Sequence, residues 1–101
     1  MLTTTALTAL KNCIKNNIAY ARYKVGSTYY RSEITDAYIM DDGRVAVTFL
    51  IDHTLSGNIT ITEVQLCDHN GSQWAKKTES ITRKATQEGI LYRFTFTITE
   101  T

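Results

Sequence analysis

Apolar residues recur along this chain with two different periods. Between Thr3 and Asn17, Leu7, Leu10 and Ile14 fall at steps of three and four, with Ala6 and Cys13 beside them and Lys11 and Lys15 opposite. That spacing gathers them on one stripe of a helix, so a short amphipathic helix is predicted over about residues 3–17. One of Thr3 to Thr5 can cap its free N–H groups, and Asn16-Asn17 suits a left-handed exit.

From Ile18 the period becomes two, and residues 18–101 are predicted to be β-rich. Ile18 to Val25 reads as a strand and Gly26-Ser27 breaks it, while Thr28 to Glu33 has no clear period. Ile34 to Met40 and Arg44 to Ile51 flank Asp42-Gly43, a preferred two-residue hairpin turn. Such a loop sets Met40 opposite Val45, Tyr38 opposite Val47, Asp36 opposite Phe49 and Ile34 opposite Ile51, a face apolar except at Asp36.

A second hairpin is predicted around Asn70-Gly71, with Ile59 to Asp68 returning as Ser72 to about Ile81 and with Cys67 opposite Trp74 and Leu66 opposite Ala75. Ile59 and Ile61 share one parity, Val64 and Leu66 the other. One core can take both pairs only if a bulge intervenes near Thr62-Glu63. The last strand alternates most regularly, with Ile90, Tyr92, Phe94, Phe96 and Ile98 on one face. No repeat or linker divides the chain, so a single domain over residues 1–101 is expected. The fold class is mostly β: an antiparallel β-sandwich with a short N-terminal amphipathic helix. The alternative is α+β, with that helix across one antiparallel sheet and Leu7, Leu10 and Ile14 all buried against it.

Composition narrows the function classes. Hydrophobic residues make up 43% and charged residues 21%, the balance of a folded soluble domain. A formal charge of +1 supplies no overall field for DNA, RNA or an anionic membrane. The longest apolar runs are far shorter than the ~20 residues of a membrane helix, and the start reads as cytosolic, without a cleaved leader. Proline is absent and threonine occurs seventeen times, which suits the wet faces of strands. Cys13 and Cys67 lack metal or redox spacing and read as two buried thiols.

Candidate chemistry is sparse. Asp52-His53 and Asp68-His69 pair a carboxylate with an imidazole, but neighbours on a strand face opposite sides and both pairs fall where strands end, so they read as solvated loop residues. The five glycines stand singly at turns and form no phosphate loop. No catalytic residue, cofactor or metal ligand is expected. The segment Tyr20, Arg22, Tyr23, Lys24, Tyr29, Tyr30 and Arg31 mixes aromatic and basic side chains, a composition that stacks bases and holds phosphates, or that serves protein contacts. A second basic cluster, Lys76, Lys77, Arg83 and Lys84, is diluted by Glu79 and Glu88.

The stretch Ile61-Thr62-Glu63-Val64-Gln65-Leu66-Cys67-Asp68-His69-Asn70-Gly71, followed by Trp74-Ala75, Ile81-Thr82-Arg83-Lys84, Gly89-Ile90 and an alternating tail, resembles tailed-phage structural proteins of the tail-collar and tail-fibre attachment type. In that group a strand reading roughly Ile-x-Glu-Ile-Gly-Leu-Phe-Asp leads into a glycine turn. Ile61, Glu63, Val64, Leu66, Asp68 and Gly71 fit that pattern, whereas Gln65 replaces its glycine and Cys67 its aromatic. The resemblance implies a phage or prophage tail component that assembles through protein contacts, with itself or with other virion proteins, starting in the host cytoplasm. The candidate interface residues are Leu7, Leu10, Ile14, Tyr20, Tyr23, Tyr29, Tyr30 and Arg31. A nucleic-acid or carbohydrate binding module using Tyr20 to Arg31 is the alternative.

Overall fold

The structure, a computed structural model, describes residues 2–51, 57–83 and 90–98. Helix α1 (Thr4–Asn17) is followed by strands β1 (Tyr20–Val25), β2 (Thr28–Ile39), β3 (Val45–Ile51), β4 (Ile59–Cys67), β5 (Gln73–Arg83) and β6 (Ile90–Phe96). The chain is mostly β with one short N-terminal helix, as the patterning predicts. All the strands belong to one antiparallel sheet in the order β5-β4-β1-β2-β3-β6.

The sheet curls about β2, whose first half pairs with β1 and whose second half pairs with β3. Its two halves therefore close on a common core: Tyr23, Ile61, Val64 and Leu66 from one side meet Val47, Phe49, Ile51 and Phe94 from the other. The two layers of the predicted sandwich are thus halves of one continuous sheet. No helix among the described residues is long and apolar enough to cross a membrane.

Thr3 caps α1, its Oγ1 accepting from the Ala6 N–H at 3.2 Å. The predicted left-handed exit is not used: Ile18 at the C-terminal cap is extended, and the Asn17 amide donates instead to the Cys13 carbonyl at 2.7 Å. Cys67 is buried but Cys13 is exposed on the helix, correcting the expectation of two buried thiols. Ile14 packs against the core, yet Leu10 remains 45% exposed, so the helix does not bury its whole apolar stripe in its own chain.

The first hairpin differs from expectation by one residue. Met40 N–H donates to Arg44 O at 2.7 Å, Gly43 N–H donates to Met40 O, and Gly43 has a φ of 92°. The loop therefore has three residues, Asp41 to Gly43, with glycine in the left-handed third position. Ile39 rather than Met40 faces Val45, and Ala37 rather than Tyr38 faces Val47. The shift turns Asp36 out of the apolar face that a two-residue loop would have given it. A register break between Ile34 and Asp36 then returns Ile34 to the core side, opposite Phe49.

The second hairpin uses the same device: Asp68 N–H donates to Ser72 O at 3.0 Å, and Gly71 has a φ of 81°. Here a break between Leu66 and Cys67 absorbs the extra residue, so Leu66 faces Ala75 as predicted but Cys67 faces Gln73, not Trp74. The predicted bulge is present as a break between Ile61 and Glu63, and Ile59, Ile61, Val64 and Leu66 are all buried. Thr28 to Glu33, which shows no clear period, forms the first half of β2.

Candidate functional site

Strand alternation divides the tyrosine-basic segment between two faces. Tyr23 and Tyr30 are direct partners across β1 and β2, and their rings stack at 5.8 Å. Tyr23 is 2% exposed, so this pair belongs to the core and not to a binding surface. Tyr20, Arg22 and Lys24 on β1 point the other way, together with Tyr29 and Arg31 on β2.

On that outer face the cations lie on the aromatic rings. The Arg31 guanidinium sits 4.2 Å from the Tyr20 ring centroid, and Arg22 and Lys24 approach the Tyr29 ring at 5.0 and 5.5 Å. Such contacts hold long basic side chains flat against the sheet. Residues from β4 and β5 complete the row. Arg22 Nε donates to Gln65 Oε1 at 3.1 Å, the Tyr29 hydroxyl donates to Glu63 Oε2 at 2.8 Å, and Lys76 Nζ lies 3.3 Å from Glu63 Oε1. Arg31 also pairs with Glu33 at 3.1 Å.

The electrostatics follow from these contacts. The Tyr29 hydroxyl first, then the Gln65 amide and Lys76, hold the Glu63 carboxyl below its usual range. Accepting that bond, Glu63 raises the Tyr29 phenol. The arrangement is a ladder of aromatic, basic and acidic groups that sets four cations, Arg22, Lys24, Arg31 and Lys76, against two carboxylates, Glu33 and Glu63, with internal partners for Arg22, Arg31 and Lys76. Sequence reasoning picked out Tyr20, Arg22, Lys24, Tyr29 and Arg31, put Lys76 in a separate basic cluster, and missed Glu63 and Gln65 as their partners. The strand parity of Glu63 and Gln65 was legible, but their pairing opposite Lys24 and Arg22 was not.

The helix candidates form a second, separate surface. Leu7 and Ile14 are half-buried, and Leu10 is exposed beside them. Leu2, just before the helix, is exposed too. A further apolar pair went unnoticed in the sequence: Leu50 and Leu91 face each other across β3 and β6 on the outer side of the sheet, and Leu91 is 64% exposed.

The remaining candidates separate. Asp68 serves its turn, accepting backbone N–H groups of Asn70 and Ser72 and the Trp74 indole N–H, each at 2.9 Å, while His69 is exposed. Asp52-His53, Lys84 and Glu88 lie outside the described residues, as does the side chain of Arg83. Lys77 pairs with Glu79 at 3.3 Å. Among the described residues, no group of three or more His, Cys, Asp or Glu side chains is placed to hold a metal ion. No protein-family model, curated protein or solved structure matches this chain.

Proposed function

We propose that this chain is a structural or assembly protein of a phage or prophage tail, acting through protein–protein contacts. The observation that carries the assembly reading is the helix: Leu10 is 45% exposed between half-buried Leu7 and Ile14, an apolar stripe that a neighbouring protein can cover. The elongated shape adds support. The radius of gyration is 15.0 Å, against about 13 Å for a compact domain of ~100 residues, so surface remains that the chain does not fold over itself. The tail setting rests on the resemblance of residues 61–71 and of the alternating C-terminal strand.

The nucleic-acid alternative draws less support, because Arg22, Arg31 and Lys76 already face internal partners. Phosphate binding would have to displace them.

Light scattering coupled to size exclusion tests the assembly reading. The wild-type chain is expected to form a discrete oligomer at micromolar concentration, and the double change Leu7→Ser with Leu10→Ser to give a folded monomer. A wild-type chain that stays monomeric at every concentration overturns self-assembly.

A further inference from the structure

The two edges of the sheet are built differently. Strand β5 is broken from regular pairing with β4 at two places and carries Lys76, Lys77 and Glu79, devices that discourage further pairing. Strand β6 has none of the breaks. It pairs with β3 without interruption from Ile90 to Phe96, has Arg93 as its one charged residue, and is bordered by no further strand among the described residues. A regular, largely apolar strand with an unpaired side is a template for another strand.

The residue order around β6 identifies which strand fits. Ile90, Tyr92, Phe94 and Phe96 lie on the core-facing side, and with Ile98 just beyond the strand the alternate residues read Ile, Tyr, Phe, Phe, Ile, symmetric in chemical type about Phe94. We propose that β6 pairs with β6 of a second copy of this chain, antiparallel, about a two-fold axis at Phe94. The inference rests on the assembly reading above but uses a different surface from the helix.

In that register Phe94 meets Phe94 and Tyr92 meets Phe96 within β6, and Ile90 meets Ile98 two residues past its end, so each of these pairs is apolar or aromatic. On the outer side Arg93 meets Thr95 and exposed Leu91 meets Thr97, and no like charges are opposed. Neighbouring registers lack this match. A centre at Arg93 sets two guanidiniums against each other, and a centre at Tyr92 sets Phe96 against the charged Glu88. The contact is isologous, so it closes at two copies and builds no open filament through this edge.

The test is sedimentation equilibrium of the full chain with Thr95 changed, since Thr95 is half-exposed and faces Arg93 of the other copy. Thr95→Lys places like charges opposite each other twice per dimer and is expected to weaken dimerisation about tenfold, while Thr95→Glu tightens it. Circular dichroism checks that both variants fold. As a second measurement, Arg93→Cys with Thr95→Cys in a Cys13→Ser background is expected to give a disulfide-linked dimer under mild oxidation. A wild-type monomer at every concentration, or a dimer indifferent to both Thr95 changes and uncrosslinked by the cysteines, overturns the proposal. If the Leu7 and Leu10 double change dissolves the oligomer while the Thr95 changes do not, assembly stands and the β6 contact fails. The reverse pattern places the contact at β6 and removes the helix from it.

Discussion

Tyr92 on β6 donates its hydroxyl hydrogen to Glu79 Oε1 on β5 at 3.1 Å, so the two outermost strands of the sheet meet through side chains while sharing no backbone ladder. Burial, then the charge of Glu79, pushes the Tyr92 phenol up to about 12 from 10.0. A proton held more tightly when folded than when unfolded stabilises the fold in full below pH 10. That contribution is lost as the pH rises through about 12. Urea midpoints are therefore expected to fall between these two values, and Tyr92→Phe to remove that part of the slope. An unchanged slope in the variant would assign the alkaline loss to other groups.

At the other extreme of pH, Asp68 is the group to follow. The Trp74 indole first, then the Ser72 and Asn70 backbone amides, hold its carboxyl below the usual range. A depressed value means that the stabilisation is present above the unfolded pKa and is lost as the pH falls through the folded one. Asp68→Asn keeps an oxygen for the amides but turns an NH2 group toward the indole. Its Tm is expected to be a few degrees lower at neutral pH, with a flatter decline in acid. Thermal melts across the acid range check both.

Gly43 and Gly71 hold left-handed backbone in their three-residue loops. An alanine there is expected to cost about 1–2 kcal/mol from the backbone alone. The two should cost alike, because the new Cβ at Gly71 would meet the Tyr20 hydroxyl at an ordinary contact of 3.4 Å, and at Gly43 the neighbour is the flexible Lys11 Nζ at 3.3 Å. Asparagine, which tolerates this conformation, should be milder at both sites. Urea unfolding of the four variants ranks them.

Phe49 is fully buried and lies against the Tyr92 ring at 5.2 Å. Phe49→Ala is expected to cost about 3–5 kcal/mol through the lost contacts and the cavity left behind. Leu91→Ala, on the exposed outer side of the adjacent strand, should stay within about 0.5 kcal/mol in the monomer. A smaller gap between the two would place Phe49 outside the core.

Local features of this fold were legible in the sequence because they depend on neighbours along the chain. Leu7, Leu10 and Ile14 announced the helix, and the parity switch from Ile61 to Val64 announced the bulge. The hairpin register was misread by one residue at Asp42-Gly43, since a glycine after two aspartates serves a two-residue or a three-residue loop equally well. Thr28 to Glu33 lacked contrast because Tyr29 and Tyr30 fall on opposite faces. The site was harder still. Tyr29 to Glu63 and Arg22 to Gln65 are contacts between distant segments, and nothing in either local pattern names the other.

The central place of β1 between β2 and β4 sets an order of events for a newly made chain. The hairpins β2–β3 and β4–β5 need only nearby residues and can form within about 1–10 μs. Strand β1 finds β2 almost at once, but its second partner arrives only when β4 has been made, with Val25 reaching across to Ile61. Until that long loop closes, the apolar sides of Ala21 and Tyr23 have half a sheet to rest on, and β3 waits likewise for β6, so the two meetings of an early strand with a late one are expected to form last.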